Sequence, residues 1–214
     1  METEDIEKIY IGLVNIDDLK QHEFAIDEHI EELKKSIITQ KVVRKPIIAD
    51  IKTGTIIDGA HRTRALKSLG LKYIPAILTD YLNDDKIYVD KWYRVYNINY
   101  KDIISYLKSM FCFQDIEYYN NSIKIIMCND NKIDSYMLIN KFEKEFQKSI
   151  NNISFLKPET KKVKKKGLII DPPKLDKEDV ISVALKQTLL PPRSTRHVTL
   201  LKKIYVNYSL KNTY

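Results

Sequence analysis

Residues 56–70 combine charged side chains with the local pattern of a strand, a tight turn and a helix. Asp58 can cap the helix, because its carboxylate accepts the unpaired backbone N–H groups of the first turn. Gly59 permits a backbone conformation that a larger residue would resist. His61 and Arg62 place two side-chain donors at the same helix end. This combination of residue types is suited to holding an anion.

Helix geometry strengthens the prediction of an anion site. The backbone N–H groups from Ala60 onward and the positive end of the helix dipole point toward the turn. Arg62 heads the apolar face of the helix, so its side chain should lean toward the core and meet a bound phosphate bidentately. The alternative is an ordinary surface helix, capped at its C-terminal end by Gly70, with incidental basic residues.

A second group of donors lies near the C-terminal end of the sequence. Two prolines stiffen the approach. Two hydroxyls, a guanidinium and an imidazole follow in a row, all suited to phosphate: Ser194, Thr195, Arg196 and His197. A polar loop is the alternative interpretation. Taken together, the two segments suggest one phosphate site closed by both ends of the chain.

The charge of the chain fits more than one kind of anionic partner. The net charge is +7 over 214 residues, which is compatible with nucleic acid and equally with a small anionic substrate. The densest positive cluster, Lys161–Lys166, has no interleaved aromatic residue to stack on bases. We therefore expect a solvated loop there and no nucleic-acid partner.

Composition and hydropathy argue against a membrane-spanning or secreted protein. A hydrophobic fraction of 43% and a charged fraction of 30% are typical of a globular protein. No apolar run approaches the roughly 20 residues of a membrane span, and the start of the chain lacks a signal-peptide pattern. We therefore expect a cytoplasmic protein. Cys112 and Cys128 form no metal-ligand spacing and no disulfide framework, so packing is their expected role.

The order of elements predicts an α/β fold. Residues 1–100 give a β-α-β-β-α-β unit by about residue 80, followed by an aromatic-rich stretch containing Trp92, for which core packing is the alternative role. Residues 101–186 alternate helices and strands of their own. We therefore expect a smaller α/β domain at 101–186, inserted before a segment, 187–214, that completes the first domain.

The stretch Asp58-Gly59-Ala60-His61-Arg62 with Leu69-Gly70 resembles the phosphate-binding segment of the ParB/sulfiredoxin superfamily, which includes the ParB-like nuclease domain family. Its members include chromosome-partitioning CTPases, sulfiredoxins and archaeal kinases of free L-serine. Ala60 stands where sulfiredoxins need a cysteine, so thiol chemistry has no nucleophile here.

The resemblance to the free-serine kinases extends over most of the chain. Those kinases carry Pro-His-Glu before the first long helix, with the Glu catalytic, and this chain keeps His and Glu. The resemblance therefore implies that Glu23 is the general base and that Ser36 contributes to the ligand site. It also implies that Trp92 holds the substrate and that Thr195–His197, like the kinases' C-terminal Thr-Arg-His, closes on phosphate and substrate. The kinases have a second His where this chain has Ala60.

The function implied by this resemblance is phosphorylation of free L-serine to O-phospho-L-serine with Mg²⁺ and ADP or ATP, which would feed cysteine biosynthesis. The same phosphate loop serves either nucleotide, so the donor is left open, as are the oligomeric state and the protein groups that contact Mg²⁺. Neither a GxxxxGK[ST] loop nor a protein-kinase motif is present. The rivals are a ParB-like nucleic-acid-binding protein or nuclease, and a CTP-gated switch.

Overall fold

The computed structural model describes residues 9–150, 152–160 and 167–210. The chain divides into two compact units. The first unit comprises the described residues up to Ile87 together with 184–188 and the residues from Thr199 onward, and the second comprises Tyr88–Val183 and Leu189–Val198. The cluster Lys161–Lys166 lies outside the described residues, so the solvated loop expected there stays a prediction.

The helices and strands are numbered along the chain. Up to residue 87 they are β1 Ile11–Asn15, α1 Asp27–Gln40, β2 Val42–Val43, β3 Ile47–Asp50, β4 Ile56–Asp58, α2 Ala60–Ser68 and β5 Tyr73–Thr79. The remainder are β6 Tyr88–Asp90, β7 Tyr93–Tyr96, α3 Tyr100–Met110, β8 Phe113–Tyr119, β9 Ser122–Met127, α4 Lys132–Glu145, β10 Ile153–Leu156, β11 Gly167–Asp171, α5 Lys177–Lys186, β12 Arg196–Val198 and β13 Tyr208–Ser209. Short 3-10 turns lie at Ile16–Asp18 and Leu200–Lys203.

The first unit is a four-stranded sheet with helices packed on it. The strand order is β1-β5-β3-β4, in which β3 runs parallel to β5 and the other two pairs are antiparallel. Apolar residues from both helices and from the sheet form one buried core, among them Ile30, Ile37, Ala65, Leu66, Ile47, Ala49, Ile74 and Ala76. Near the end of the chain, β13 pairs with β2 and brings residues 199–210 back to this unit.

The second unit has a five-stranded sheet of its own. The order is β10-β7-β11-β9-β8, with β9 and β11 parallel and the other neighbours antiparallel. Its fully buried side chains include those of Leu107, Ile123, Ile125, Ile139, Phe142, Ile169 and Ile170. A separate two-stranded pairing joins β6 to β12.

Both units mix helices with sheets, which confirms the predicted α/β class. None of the helices within the described ranges is long and apolar enough to cross a membrane.

The boundaries of the two units differ from the expected 1–100, 101–186 and 187–214. The second unit begins at Tyr88 and includes residues 189–198. The reason is strand pairing, because β7 lies inside the five-stranded sheet and β6 pairs with β12. These are contacts between distant parts of the chain, which local sequence patterns do not reveal.

The expectation that the two cysteines only pack is wrong. Cys112 and Cys128 form a disulfide with a Cα–Cα distance of 5.5 Å. Cys112 precedes β8 and Cys128 follows β9, so the antiparallel hairpin brings them opposite each other, and the Cys128 N–H donates to the Cys112 carbonyl at 3.1 Å. With only two cysteines in the sequence, nothing in their spacing showed that they face each other.

Removing this disulfide is expected to destabilise the second unit. The double substitution C112S/C128S should lower its free energy of unfolding by about 2–4 kcal/mol, because the open chain regains conformational freedom. Urea unfolding followed by the fluorescence of Trp92, which lies in this unit, measures the change. Dithiothreitol should destabilise the wild type similarly and leave the double variant unaffected. Equal stability of the wild type with and without reductant would contradict the prediction.

Candidate functional site

The passage from β4 into α2 is made by Gly59. Its φ is +103°, in the left-handed region, and a Cβ built there would lie 2.6 Å from Ile47 Cγ2 and 2.8 Å from Arg62 Nη2. Only glycine fits this position without displacing its neighbours. Gly59 is also the N-cap of α2 and offers no side-chain cap. The first N–H groups of a helix lack intrahelical acceptors, so this turn presents donors and the positive end of the dipole.

Asp58 does not cap α2, contrary to the sequence-based expectation. The left-handed turn at Gly59 makes that glycine the N-cap, so Asp58 stands one residue too early. Its carboxylate instead accepts a hydrogen bond from Arg62 Nη2 at 2.8 Å and lies 3.2 Å from Lys202 Nζ. Burial alone would raise the pKa of Asp58, but the charges of Lys202 and Arg62 outweigh it and lower the pKa below its ordinary value. Asp58 therefore holds two cations at the start of α2.

The Arg62 guanidinium keeps donor capacity for a ligand. Nη2 also donates to the Pro46 carbonyl at 3.2 Å, and the side chain is 21% exposed. Nε is buried and has no hydrogen-bond acceptor among the described residues. A ligand cannot reach an atom without solvent exposure, so the donors open to an anion are those on the exposed edge of the guanidinium.

A cavity of about 300 Å³ opens beside Arg62. This is the lower end of the size range for small-molecule sites. In its wall, Gln40 Nε2 donates to Ser36 Oγ at 3.1 Å, so the structure places Ser36 at a ligand-sized space. The lining combines apolar, polar and basic side chains: Leu33, Ser36, Ile37, Gln40, Val42, Val43, Arg44, Lys45, Arg62 and Tyr205.

Sequence patterns do not indicate three residues of this region, Lys45, Lys202 and Tyr205. Lys45 Nζ lies 4.7 Å from the centroid of the Tyr205 ring and donates to the Lys202 carbonyl at 3.3 Å. Lys202 in turn reaches Asp58. No sequence signal identifies them, because they meet only when the C-terminal segment pairs with β2.

The segment that carries Glu23 is tied to the start of α2. The Lys20 N–H donates to the Gly54 carbonyl and the Ile56 N–H to the Lys20 carbonyl, both at 2.9 Å. Gln21 Nε2 donates to the Ala60 carbonyl at 3.2 Å. Glu23 is two residues from Gln21, and a chain spans at most about 3.6 Å per residue. Glu23 therefore lies close to the phosphate-type turn.

His61 has a role that the sequence did not predict. Its Nε2 accepts a hydrogen bond from the Ile26 N–H at 2.9 Å, whereas the sequence suggested a donor. Ile26 is the N-cap residue of α1, so the imidazole joins the start of α1 to the start of α2. Glu23 lies in sequence between Gln21 and Ile26, which are both hydrogen-bonded to the first turn of α2. Its side chain is 17% exposed, and its Oε1 is 3.5 Å from His22 Nε2.

The second unit brings together Trp92 and the C-terminal donors. Trp92 Nε1 donates to the Thr195 carbonyl at 3.1 Å. The Arg196 guanidinium lies 5.6 Å from the Trp92 ring centroid and pairs with Asp90 at 2.7 Å and Glu159 at 2.9 Å.

The two remaining members of this row are buried. Ser194 is 1% exposed, and its Oγ donates to the Pro191 carbonyl at 2.7 Å, which closes a turn. His197 lies in β12, paired with Val89 of β6.

The space around Gly59 can be tested against a second left-handed glycine. Gly70 has φ of +80°, and a Cβ there meets nothing within 4 Å. Alanine in left-handed backbone costs about 1–2 kcal/mol at either position. Gly59→Ala should lose about 1–3 kcal/mol more than Gly70→Ala, because its Cβ also overlaps Ile47 and Arg62. Urea unfolding followed by circular dichroism gives both values, and equal losses would show that the close approach at Gly59 is unimportant.

Residues 1–90 match the family described as the ParB N-terminal domain. A ParB-like protein of Sulfolobus acidocaldarius is 30% identical over 186 residues, which cover 84% of this chain and 86% of that protein. An ATP-dependent L-serine kinase of Desulfurococcus mucosus is 38% identical over 77 residues, 34% of this chain and 30% of the kinase. An ADP-dependent L-serine kinase of Thermococcus kodakarensis is 28% identical over 106 residues, 47% of this chain and 43% of the kinase.

The match to the two kinases thus spans less than half of their length, whereas the match to the Sulfolobus protein spans most of both chains. Among solved structures, a free serine kinase variant in complex with AMP superposes with a TM-score of 0.68 at 16% identity, covering 97% of this chain and 95% of that one. At that identity the likeness shows a shared fold. Its identity of 30% with the Sulfolobus protein over most of both chains shows that the chain belongs to the ParB-like protein family.

Proposed function

We propose that this chain is a kinase that phosphorylates free L-serine to O-phospho-L-serine with an adenine nucleotide and Mg²⁺. The observation that carries the proposal is the Gly59 turn, which presents the first N–H groups of α2, next to a cavity of about 300 Å³ lined by Arg62. A nucleotide fits this combination, because its phosphates are charged and the faces of its base are apolar. The similarity to proteins named L-serine kinases supports the choice of acceptor.

In this proposal the nucleotide phosphates lie at the start of α2. The backbone N–H groups from Gly59, Ala60 and His61 onward and the Arg62 guanidinium bind them. The base enters the cavity, with Ser36 in its wall. Relatives named for ATP and for ADP are both similar to this chain, so the proposal allows either donor.

Glu23 is proposed as the general base. Its carboxylate takes the proton from the serine hydroxyl as the hydroxyl oxygen bonds to the terminal phosphorus of the nucleotide. The bond from that phosphorus to the bridging oxygen breaks, which leaves ADP from ATP or AMP from ADP. The short tie from Gln21 to Ala60 supports this role, because it fixes the Glu23 segment beside the phosphate-type turn.

The substrate residues are proposed in the second unit. Trp92 with Thr195, Arg196 and His197 would hold serine and the transferred group, and Ser194 would contribute through the turn that it closes. Their support is the observed contact of Trp92 with Thr195 and the guanidinium beside the same ring. Serine carries a carboxylate, for which a guanidinium is a suitable partner, and it would share Arg196 with Asp90 and Glu159.

The proposed reaction also uses Mg²⁺, an ion commonly bound by one or two carboxylates together with substrate phosphates. Both Asp58 oxygens face Arg62 and Lys202 and Glu23 is the proposed base, so the nucleotide phosphates would supply most of the ligands. Elsewhere in the described ranges, one group of three potential ligands lies close together: Cys112, Cys128 and Asp130. The two cysteine sulfurs form a disulfide, so neither is a thiolate ligand. When bound, Mg²⁺ would neutralise charge on the phosphates.

The product would feed cysteine biosynthesis in the cytoplasm.

A direct assay tests the activity: purified protein with Mg²⁺, serine, and ADP or ATP in turn, with phosphoserine detected by mass spectrometry. Phosphoserine formed with at least one nucleotide is the expected result. Its absence with both donors, in a preparation that binds nucleotide, would leave a nucleotide-binding protein without this kinase activity.

Substitution of Glu23 separates catalysis from binding. Glu23→Gln keeps the shape but cannot take a proton, so kcat should fall by about 10²–10⁴-fold. The nucleotide Kd and the melting temperature should hardly change. Glu28→Gln, at an exposed position in the first turn of α1, is the matched control and should keep full activity. Steady-state kinetics, nucleotide titration and a melting curve supply the measurements, and near-wild-type turnover of Glu23→Gln would remove it as the base.

Substitution of Arg62 tests the phosphate site. Arg62→Ala removes a charge-assisted donor, so nucleotide binding should weaken by about 1.5–3 kcal/mol. The exposed Arg64, two residues along α2, provides the control, and Arg64→Ala should bind nucleotide as the wild type does. Isothermal titration measures both affinities. If folded Arg62→Ala retained its affinity for nucleotide, the start of α2 would be an ordinary helix end.

A further inference from the structure

A buried guanidinium lies beneath the segment 191–197 in the second unit. Arg94 on β7 is 1% exposed. Its Nη1 donates to the Pro192 carbonyl at 3.1 Å and reaches the Arg193 carbonyl at 3.5 Å. Burying a charge is costly unless it is paired and hydrogen-bonded. The partners of Arg94, two backbone carbonyls and a carboxylate, therefore account for its burial.

The orientation of Arg94 is set by a partly buried carboxylate. Glu143 on α4 accepts from Arg94 Nε at 2.7 Å and from Nη2 at 3.0 Å, a bidentate pair. Tyr96 donates its hydroxyl to the same carboxylate at 2.8 Å. With one edge of the guanidinium fixed in this way, Nη1 is directed at the backbone of the segment.

The segment adopts a conformation that needs such support. Arg193 has a φ of +58°, a left-handed value that costs a non-glycine residue about 1–2 kcal/mol. Two residues further on, the Thr195 carbonyl accepts from Trp92 Nε1. The backbone between the Arg94 contacts and the Trp92 contact is thus held at both ends.

We propose that Arg94 is a positioning residue, which seats segment 191–197 through the Pro192 and Arg193 carbonyls and thereby orients Thr195 against Trp92. On the proposed function, this segment and Trp92 hold serine, and the assignment of Arg94 to serine recognition rests on that function. Glu143 acts through Arg94, because it fixes the direction in which Arg94 Nη1 points toward the two carbonyls. The alternative is an ion pair that only stabilises the core.

The double variant R94M/E143L separates these roles. A buried ion pair replaced by apolar residues of similar volume often leaves stability unchanged, whereas removal of one partner is strongly destabilising. The double variant therefore removes the donors to the carbonyls without leaving one charge of the pair buried alone. Tyr96→Phe is the matched control, because it removes a hydrogen bond from the same buried network but leaves Arg94 on the carbonyls.

The chain has a single tryptophan, so its fluorescence reports on Trp92 without any substrate. In R94M/E143L the emission of Trp92 should shift to longer wavelength and be quenched more readily by acrylamide, because the segment no longer covers it. Tyr96→Phe should keep wild-type emission and quenching. In steady-state kinetics, the serine KM of the double variant should rise about tenfold, as expected for loss of a hydrogen bond to a charged group, with the nucleotide KM and kcat nearly unchanged.

Arg94→Lys provides a second test if the double variant does not fold. Lysine keeps a charge for Glu143, but its compact ammonium cannot replace the planar fork that also reaches the carbonyls, so Trp92 should again be exposed. Wild-type emission and quenching in whichever of the two variants folds would overturn the proposal, as would an equal disturbance in Tyr96→Phe. A wild type that makes no phosphoserine would refute the kinase function, whereas the fluorescence result would still decide the positioning role.

Discussion

The geometry of the candidate phosphate site depends on the missing side chain at Gly59. Ile47 and the Arg62 guanidinium occupy the space where a Cβ would stand. The left-handed turn also makes Gly59 the N-cap and leaves Asp58 before the helix, where it binds Arg62 and Lys202. One conformational constraint therefore fixes the donors of the helix, the position of Arg62 and the role of Asp58.

Electrostatics at this turn favour a further negative charge. Arg62 and Lys202 share the single carboxylate of Asp58, so the cluster keeps an excess positive charge beside the positive end of α2. Lys45 and Arg44 line the adjoining cavity and add to it. An arriving phosphate would meet cations that are already positioned by Asp58, which reduces the cost of ordering them.

Local sequence patterns predicted the local parts of this site. The strand-turn-helix at 56–70, the special backbone at Gly59 and the left-handed Gly70 follow from short-range signals, and the structure has them. Lys202 and Tyr205 could not be predicted, because they reach the site only when β13 pairs with β2. The Arg94–Glu143 pair could not be predicted either, because it joins a strand to a helix 49 residues further along the chain. The disulfide was missed for a different reason: its cysteines flank a local hairpin, and it is the β8–β9 register that brings them together.

In the proposed complex, one nucleotide spans the start of α2 and the adjoining cavity. A crystal structure of the protein with bound AMP tests it most directly. We expect the phosphate on the first N–H groups of α2 and on Arg62, with adenine in the cavity beside Ser36. A phosphate bound elsewhere, or a cavity without the base in a crystal that contains AMP, would contradict it.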